Sequence, residues 1–454
     1  MKRNHLLLIL SIYSLSMAAQ NIGMEVPAFA GNSYDFIIFQ GSKTVSLTKG
    51  RIPENGKFTL TIPEQYAPYT GMCRWLITGS SENAGMDMAV PGHDFFVSCS
   101  SVNPSKENIT YTNFDPVTKL DKLNATQEQI IEKFDLCNRG LELYKDHKEF
   151  AVLFKGELDK QKEAFISFQE GLKKDPNFNA RLVPILNLTR GIAPQLTSNP
   201  IEKAEIYNLY VTESLSFKDL YVSGHWTALI RDWVAYQSNE VNDIVKFEAD
   251  FKRISARIDA PELYTDFVGK VTYYLTSYSK DAFVDALAET VLQSGKITAY
   301  TGSMQVYLKS RLGMKAANLT LPKTPGNKKA LSTLESSKFA LNGANKTLLI
   351  FYNSACGPCE ELMRQLPDAF PNIKKSGLDI IAISSDTDWQ EFKNQAEAFP
   401  WKRSYCDLKG LEGPNFLNYG VLATPMLFLI NQQGTIVAKP NWLDFLKDWS
   451  PKKN

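Results

Sequence analysis

The rhythm of apolar and polar positions changes three times along the chain. Between Tyr34 and Cys99 it is short: YDFIIFQ, KFTLTI, CRWLIT and DFFVSC are runs rich in β-branched and aromatic residues. Runs of this length and composition predict strands, and GRIPENGK and AVPGHD supply the turn residues between them. A small β domain, a sandwich or antiparallel sheet, is predicted over residues 24–112. From Asp115 the period lengthens. TQEQIIEKFDLCNRGLELYKDHKEFAVLF places apolar residues at helical spacing with Glu and Lys on the other face. An all-α domain is predicted over 115–315, and Tyr207, Tyr210, Phe217, Tyr221, Trp226 and Trp233 read as the inside of its bundle.

The stretch LTLPKTPGNKKA, with two prolines, a glycine and three lysines, reads as a connection. Beyond it, strands and helices alternate. TLLIFYN, LDIIAISS and MLFLI are strand-like, EELMRQLPDAF and DWQEFKNQAEAF are helix-like, and MLFLINQQGTIVA reads as a hairpin around Gly434. An α/β domain with a sheet of mixed direction is predicted over 317–454. The architecture is multidomain: β, then all-α, then α/β.

Composition alters this picture little. At 454 residues the chain is long enough for two or three domains, and 44% hydrophobic residues can fill several cores. A net charge of +1 gives no footprint for nucleic acid. The start of the chain matters more. Lys2 and Arg3 precede the apolar run LLLILSIYSL, and Ser16 and Ala18 have the small-residue spacing of a cleavage site. Residues 1–19 read as a signal peptide. The run is shorter than the roughly 20 residues a spanning helix needs, so the mature chain is expected to be exported and periplasmic, without a transmembrane helix.

Export places all six cysteines where disulfides are tolerated. Cys73 and Cys99 each fall in a strand-like run; a cross-sheet disulfide and two buried free thiols are both open readings. Cys356 and Cys359 are different. In SACGPCEELM they are two residues apart, at the junction between TLLIFYN and the following helix. A thiol at a helix start meets unpaired N–H groups and the positive end of the dipole, which favour thiolate. A second cysteine one turn on can reach the first.

Other uses of the pair fit less well. A structural zinc site wants four ligands, yet there is no second CxxC and no histidine after Asn318. Glu360 follows the second cysteine where haem attachment needs His. His147 and His225 lie apart from any ligand cluster, so no metal is expected. The pair reads as redox-active, with Cys356 attacking, Cys359 resolving, and no cofactor beyond the Cys356–Cys359 disulfide itself.

CGPC after TLLIFYNSA, Thr424-Pro425 before MLFLINQQGTIV, and the insertion bearing LDIIAISSDTDWQEF together resemble the TlpA/ResA branch of thioredoxin-like thiol–disulfide oxidoreductases. The resemblance runs from Ala317 to Asn454. It implies that Thr424 and Pro425 form a cis-proline loop facing the cysteines, and that this loop, with Gly357 and Pro358, binds an extended substrate segment. It also implies protein disulfides as substrates and a membrane electron donor. The sequence departs from the pattern at several places. Ala355 stands where tryptophan is common before the first cysteine, and Ile350 where thioredoxins bury an acid. Leu362 stands where relatives carry glutamate, with Glu360 and Glu361 offset, and the helix proline comes late, at Pro367. The group that accepts the Cys359 proton is therefore unassigned.

The Gly-Pro dipeptide points toward the reducing end of the family, so a protein disulfide reductase is expected. Two alternatives stand beside it. One is a disulfide oxidase or isomerase using the same cysteines. The other is a binding or adaptor protein in which the β and helical domains act and the C-terminal domain is scaffold.

Overall fold

The computed structural model describes residues 19–78, 85–297, 309–322, 331–341 and 343–449. The signal-peptide reading falls on residues that, but for Ala19, lie outside these. The chain divides into two compact units, which part between Leu229 and Ile230.

The first unit opens with two four-stranded sheets. One has the order β4 (Lys57–Ile62), β1 (Gln20–Glu25), β7 (Phe95–Cys99), β8 (Ile109–Thr112). The other has the order β3 (Lys43–Arg51), β2 (Ser33–Gln40), β5 (Thr70–Thr78), β6 (Gly85–Pro91). Every pairing is antiparallel except β1 with β7. Alternate residues of both sheets, among them Ile22, Leu60, Phe36, Trp75, Val90 and Val97, enter one core, which makes this a sandwich. β1 and β3 were not read from the sequence because QNIGME and KTVSLTKGR are half polar and lack aromatic side chains. Cys73 and Cys99 are both buried free thiols.

Helices follow. α1 (Pro116–Leu143) and α2 (Lys148–Lys174) form a long hairpin, and α3 (Phe178–Thr189), α4 (Pro200–Glu213) and α5 (Phe217–Tyr221) complete the unit. The starts of α1 and α4 share one device. Asp115 and Asn199 accept backbone N–H bonds just ahead of a proline at the first helical position. α6 (Trp226–Ala235) spans the division of the chain.

The second unit carries α7 (Ile244–Arg257), α8 (Pro261–Ser277) and α9 (Asp281–Gln293), then a two-stranded ribbon of β9 (Leu319–Pro322) and β10 (Leu331–Leu334). The stretch read as a connection thus begins as a strand, because Leu319 and Leu321 turn into the core while β10 supplies a partner.

A five-stranded sheet follows, in the order β13 (Ser404–Cys406), β12 (Leu378–Ser384), β11 (Lys346–Tyr352), β14 (Met426–Asn431), β15 (Ile436–Ala438). β11 pairs in parallel with β12 and antiparallel with β14. Buried on both faces, β11 reads as an unbroken apolar run from Leu348 to Tyr352. α10 (Gly357–Lys375) packs on one face through Cys359, Leu362, Met363, Leu366, Ala369 and Ile373, together with α13 (Trp442–Trp449). α10 continues through Pro367 and Pro371, five residues past the stretch the sequence predicted as helical. The other face holds Phe351, Phe416, Tyr419 and Phe428, with α12 (Pro414–Tyr419). α11 (Trp389–Ala396) lies between β12 and β13 in the chain.

Candidate active site

β11 is central and ends at Tyr352, so the chain leaves the sheet at its middle and turns directly into α10. Cys356 is the N-cap residue of that helix, with φ −96° and ψ 118°. Its carbonyl accepts from Glu360 N at 2.8 Å, and its own N–H donates to Asn353 O at 3.3 Å. The Asn353 side chain stiffens the turn. Its Oδ1 accepts from Ala355 N at 3.0 Å and its Nδ2 donates to Ser385 Oγ at 3.2 Å.

The two cysteines differ in access. Cys356 is half-buried and Cys359 is fully buried; both are free thiols. Burial pushes the Cys359 thiol up to about 12, and the hydrogen bond with the Cys356 sulfur pushes the same way, against the Thr424 side chain and the Asn353 backbone. Ala355, Gly357 and Pro358 are exposed around the pair.

Thr424 and Pro425 come from 68 residues further along and meet the cysteines because β14 is antiparallel to β11 and starts at the end where β11 stops. The Thr424–Pro425 peptide bond is cis. Cys356 Sγ donates to Thr424 O at 3.4 Å. Leu422 and Ala423, both exposed, extend the apolar rim on this side.

Ile350 and Leu362, two apolar departures from the pattern that the resemblance implies, are fully buried in the apolar core. Glu361 is half-buried and turned along the helix, held below the usual carboxylate range by Arg364 and then Gln365. Cys406 is buried, its thiol pushed up to about 11 by desolvation. Among the described residues, no group of three or more His, Cys, Asp or Glu is placed to hold a metal ion.

Four polar residues behind the cysteine loop were not singled out from the sequence: Ser354, Ser384, Asp386 and Gln395. Asp386 stands two residues before Asp388, which caps α11 through Gln390 N at 2.7 Å and Glu391 N at 3.0 Å. In SSDTDW either aspartate could have been the cap, and nothing local says that the first turns inward.

The thioredoxin-like family pattern matches residues 343–436. The thiol–disulfide oxidoreductase ResA of Bacillus cereus is 28% identical over 140 residues, covering 31% of this chain and 75% of that protein. Nucleoredoxin of Xenopus laevis is 29% identical over 107 residues, 21% of this chain and 26% of that one. Among solved structures, a thioredoxin-like protein from Bacteroides caccae covers 57% of this chain and 96% of its own, with 20% identity and a TM-score of 0.39. The sheet order, the cysteine at the helix N-cap and the matched residues give one conclusion: the C-terminal region of this chain is a thioredoxin-like domain, similar to the ResA thiol–disulfide oxidoreductases.

Proposed function

We propose that the chain is an exported protein disulfide reductase working through Cys356 and Cys359. One observation carries the reading: a half-exposed sulfur at a helix start, beside the Thr424 carbonyl, with a second, buried sulfur within hydrogen-bond reach. Substrate would lie extended along Leu422–Thr424, pairing with backbone near the cis bond, over Gly357 and Pro358.

The chemistry is thiol–disulfide exchange. Cys356 Sγ attacks one sulfur of a substrate disulfide; that Sγ–S bond forms, the substrate S–S bond breaks, and the departing sulfur leaves as thiolate and takes up a proton. Cys359 Sγ then bonds to Cys356 Sγ, the mixed disulfide breaks, and the second substrate sulfur leaves carrying the proton Cys359 gives up. Substrate gains two electrons and the pair is oxidised. A dithiol donor must return the two electrons; for an exported protein that donor would be a membrane protein. No helix among the described residues is long and apolar enough to cross the membrane itself. The Gly-Pro dipeptide supports the reducing direction, near −270 mV for thioredoxin.

The test is the reduction potential of the pair in dithiol/disulfide buffers, read by alkylation of free thiols with Cys356→Ser as blank. A value near thioredoxin's is expected; one well above the glutathione range would make the protein an oxidase or isomerase. Failure to form the disulfide at all would end the redox reading. Cys359→Ser is expected to accumulate mixed disulfides with substrates in greater amount than Cys356→Ser.

A further inference from the structure

Behind the cysteine loop lies a buried carboxylate whose donors are all neutral. Asp386 is 2% exposed. Its Oδ1 accepts from Ser354 N at 2.8 Å, and its Oδ2 accepts from Ser354 Oγ and Ser384 Oγ, both at 2.6 Å. Asp386 N donates back to Ser384 Oγ at 2.9 Å, and Cys406 Sγ donates to Asp386 O at 3.2 Å. Ser354 Oγ also lies 2.9 Å from Gln395 Oε1. One hydroxyl hydrogen cannot serve two acceptors, so the Gln395 amide is better turned over, with Nε2 donating to Ser354 Oγ.

Ser354 is two residues before Cys356, and both its backbone N–H and its side chain end on this one carboxylate. The grip therefore sets where the chain leaves β11 for α10. The same carboxylate lies at the end of a polar row. Tyr352, Ser384 and Cys406 are direct neighbours across β11, β12 and β13. The Tyr352 hydroxyl is buried and closes no full hydrogen bond.

We propose that Asp386 is a positioning residue of the Cys356–Cys359 site: its grip on Ser354 fixes where the chain leaves β11 and so aims Cys356. The inference rests on the redox reading above and deepens it. It concerns the first exchange step, in which Cys356 Sγ attacks the substrate disulfide.

Two variants test the grip from its two ends. Asp386→Ala removes both acceptors of Ser354, and Ser354→Ala keeps the carboxylate but removes one donor; in each, attack on oxidised glutathione should slow about tenfold, since misaimed reactants lose rate steeply. Asp386→Asn and Ser354→Thr, which keep a partner, should restore most of it. Lower melting temperatures with rates within about twofold of the wild type would overturn the proposal and leave Asp386 a structural residue. Iodoacetamide alkylation of Cys356 in the reduced protein reads the aim without any disulfide. An unchanged alkylation rate in Ser354→Ala sinks the inference, whereas a wild-type pair that never oxidises sinks the redox reading instead.

Discussion

Cys356 and Cys359 are the same residue type three positions apart, and what separates them is contact with water. Cys359 is fully buried and its thiol is pushed up to about 12, while an unfolded chain titrates near 8.5. The raised value stabilises the reduced fold fully below about pH 8.5, and that stability is lost as pH climbs toward 12, because the unfolded state gives up its proton first. Cys406, pushed up to about 11, acts in the same direction. The reduced protein should therefore lose roughly 1.4 kcal/mol per pH unit for each thiol above about pH 8.5. Urea unfolding of wild type and Cys406→Ala between pH 7.5 and 9.5 checks this; equal slopes for the two would show that Cys406 contributes nothing. The residue scale also explains the departures from the family pattern. Ile350 and Leu362 are apolar because their side chains lie in the core between β11 and α10.

At the scale of elements, the site depends on the junction between β11 and α10. α10 holds its position by an apolar stripe, Leu362, Met363, Leu366, Ala369 and Ile373, despite Pro367 and Pro371 within it. A proline lacks an N–H and crowds the preceding turn, so packing has to outweigh a local penalty of about 3 kcal/mol. Leu366→Ala should then cost about 2–5 kcal/mol, the usual range for a buried leucine, and urea unfolding measures it. A loss under about 1 kcal/mol would mean that the stripe is not what secures the helix. The element scale is also where sequence reading was strongest. TLLIFYN, LDIIAISS and the hairpin around Gly434, whose φ is +75°, were legible because each is decided within a few residues.

At the scale of the second unit, one ion pair ties a helix before the thioredoxin-like domain to its sheet. Lys439, 4% exposed, just beyond β15, donates to Asp285 Oδ1 on α9 at 2.7 Å. Burial raises the Asp285 carboxyl and lowers the Lys439 ammonium, in each case ahead of the attraction between them, so desolvation outweighs the pairing. Asp285→Ala alone should cost about 3 kcal/mol or more, whereas Asp285→Leu with Lys439→Met should recover most of it. Thermal unfolding of the two variants decides; equal losses would show that the charge pair carries stability of its own. A nearby contact, Arg311 to Glu289 at 3.1 Å, is more exposed and should matter little.

By itself the sequence determined the β, α, α/β succession, the strand-to-helix placement of CGPC and the thioredoxin-like character of the C-terminal region. These follow from periodicity, turn chemistry and two-residue spacing, all of which act between near neighbours. It did not determine β1, β3, β8 or the β9–β10 ribbon, nor β6, whose Ala89–Pro91 it read as part of a turn; their residues are strand-like only once a partner strand is in place. Nor could it bring Thr424 O to Cys356, or turn Asp386 inward to grip Ser354 while Asp388 faces out and caps a helix. Those arrangements depend on strand order and register across a whole sheet. They are set by many small packing gains between residues far apart in the chain, which only the tertiary structure brings together.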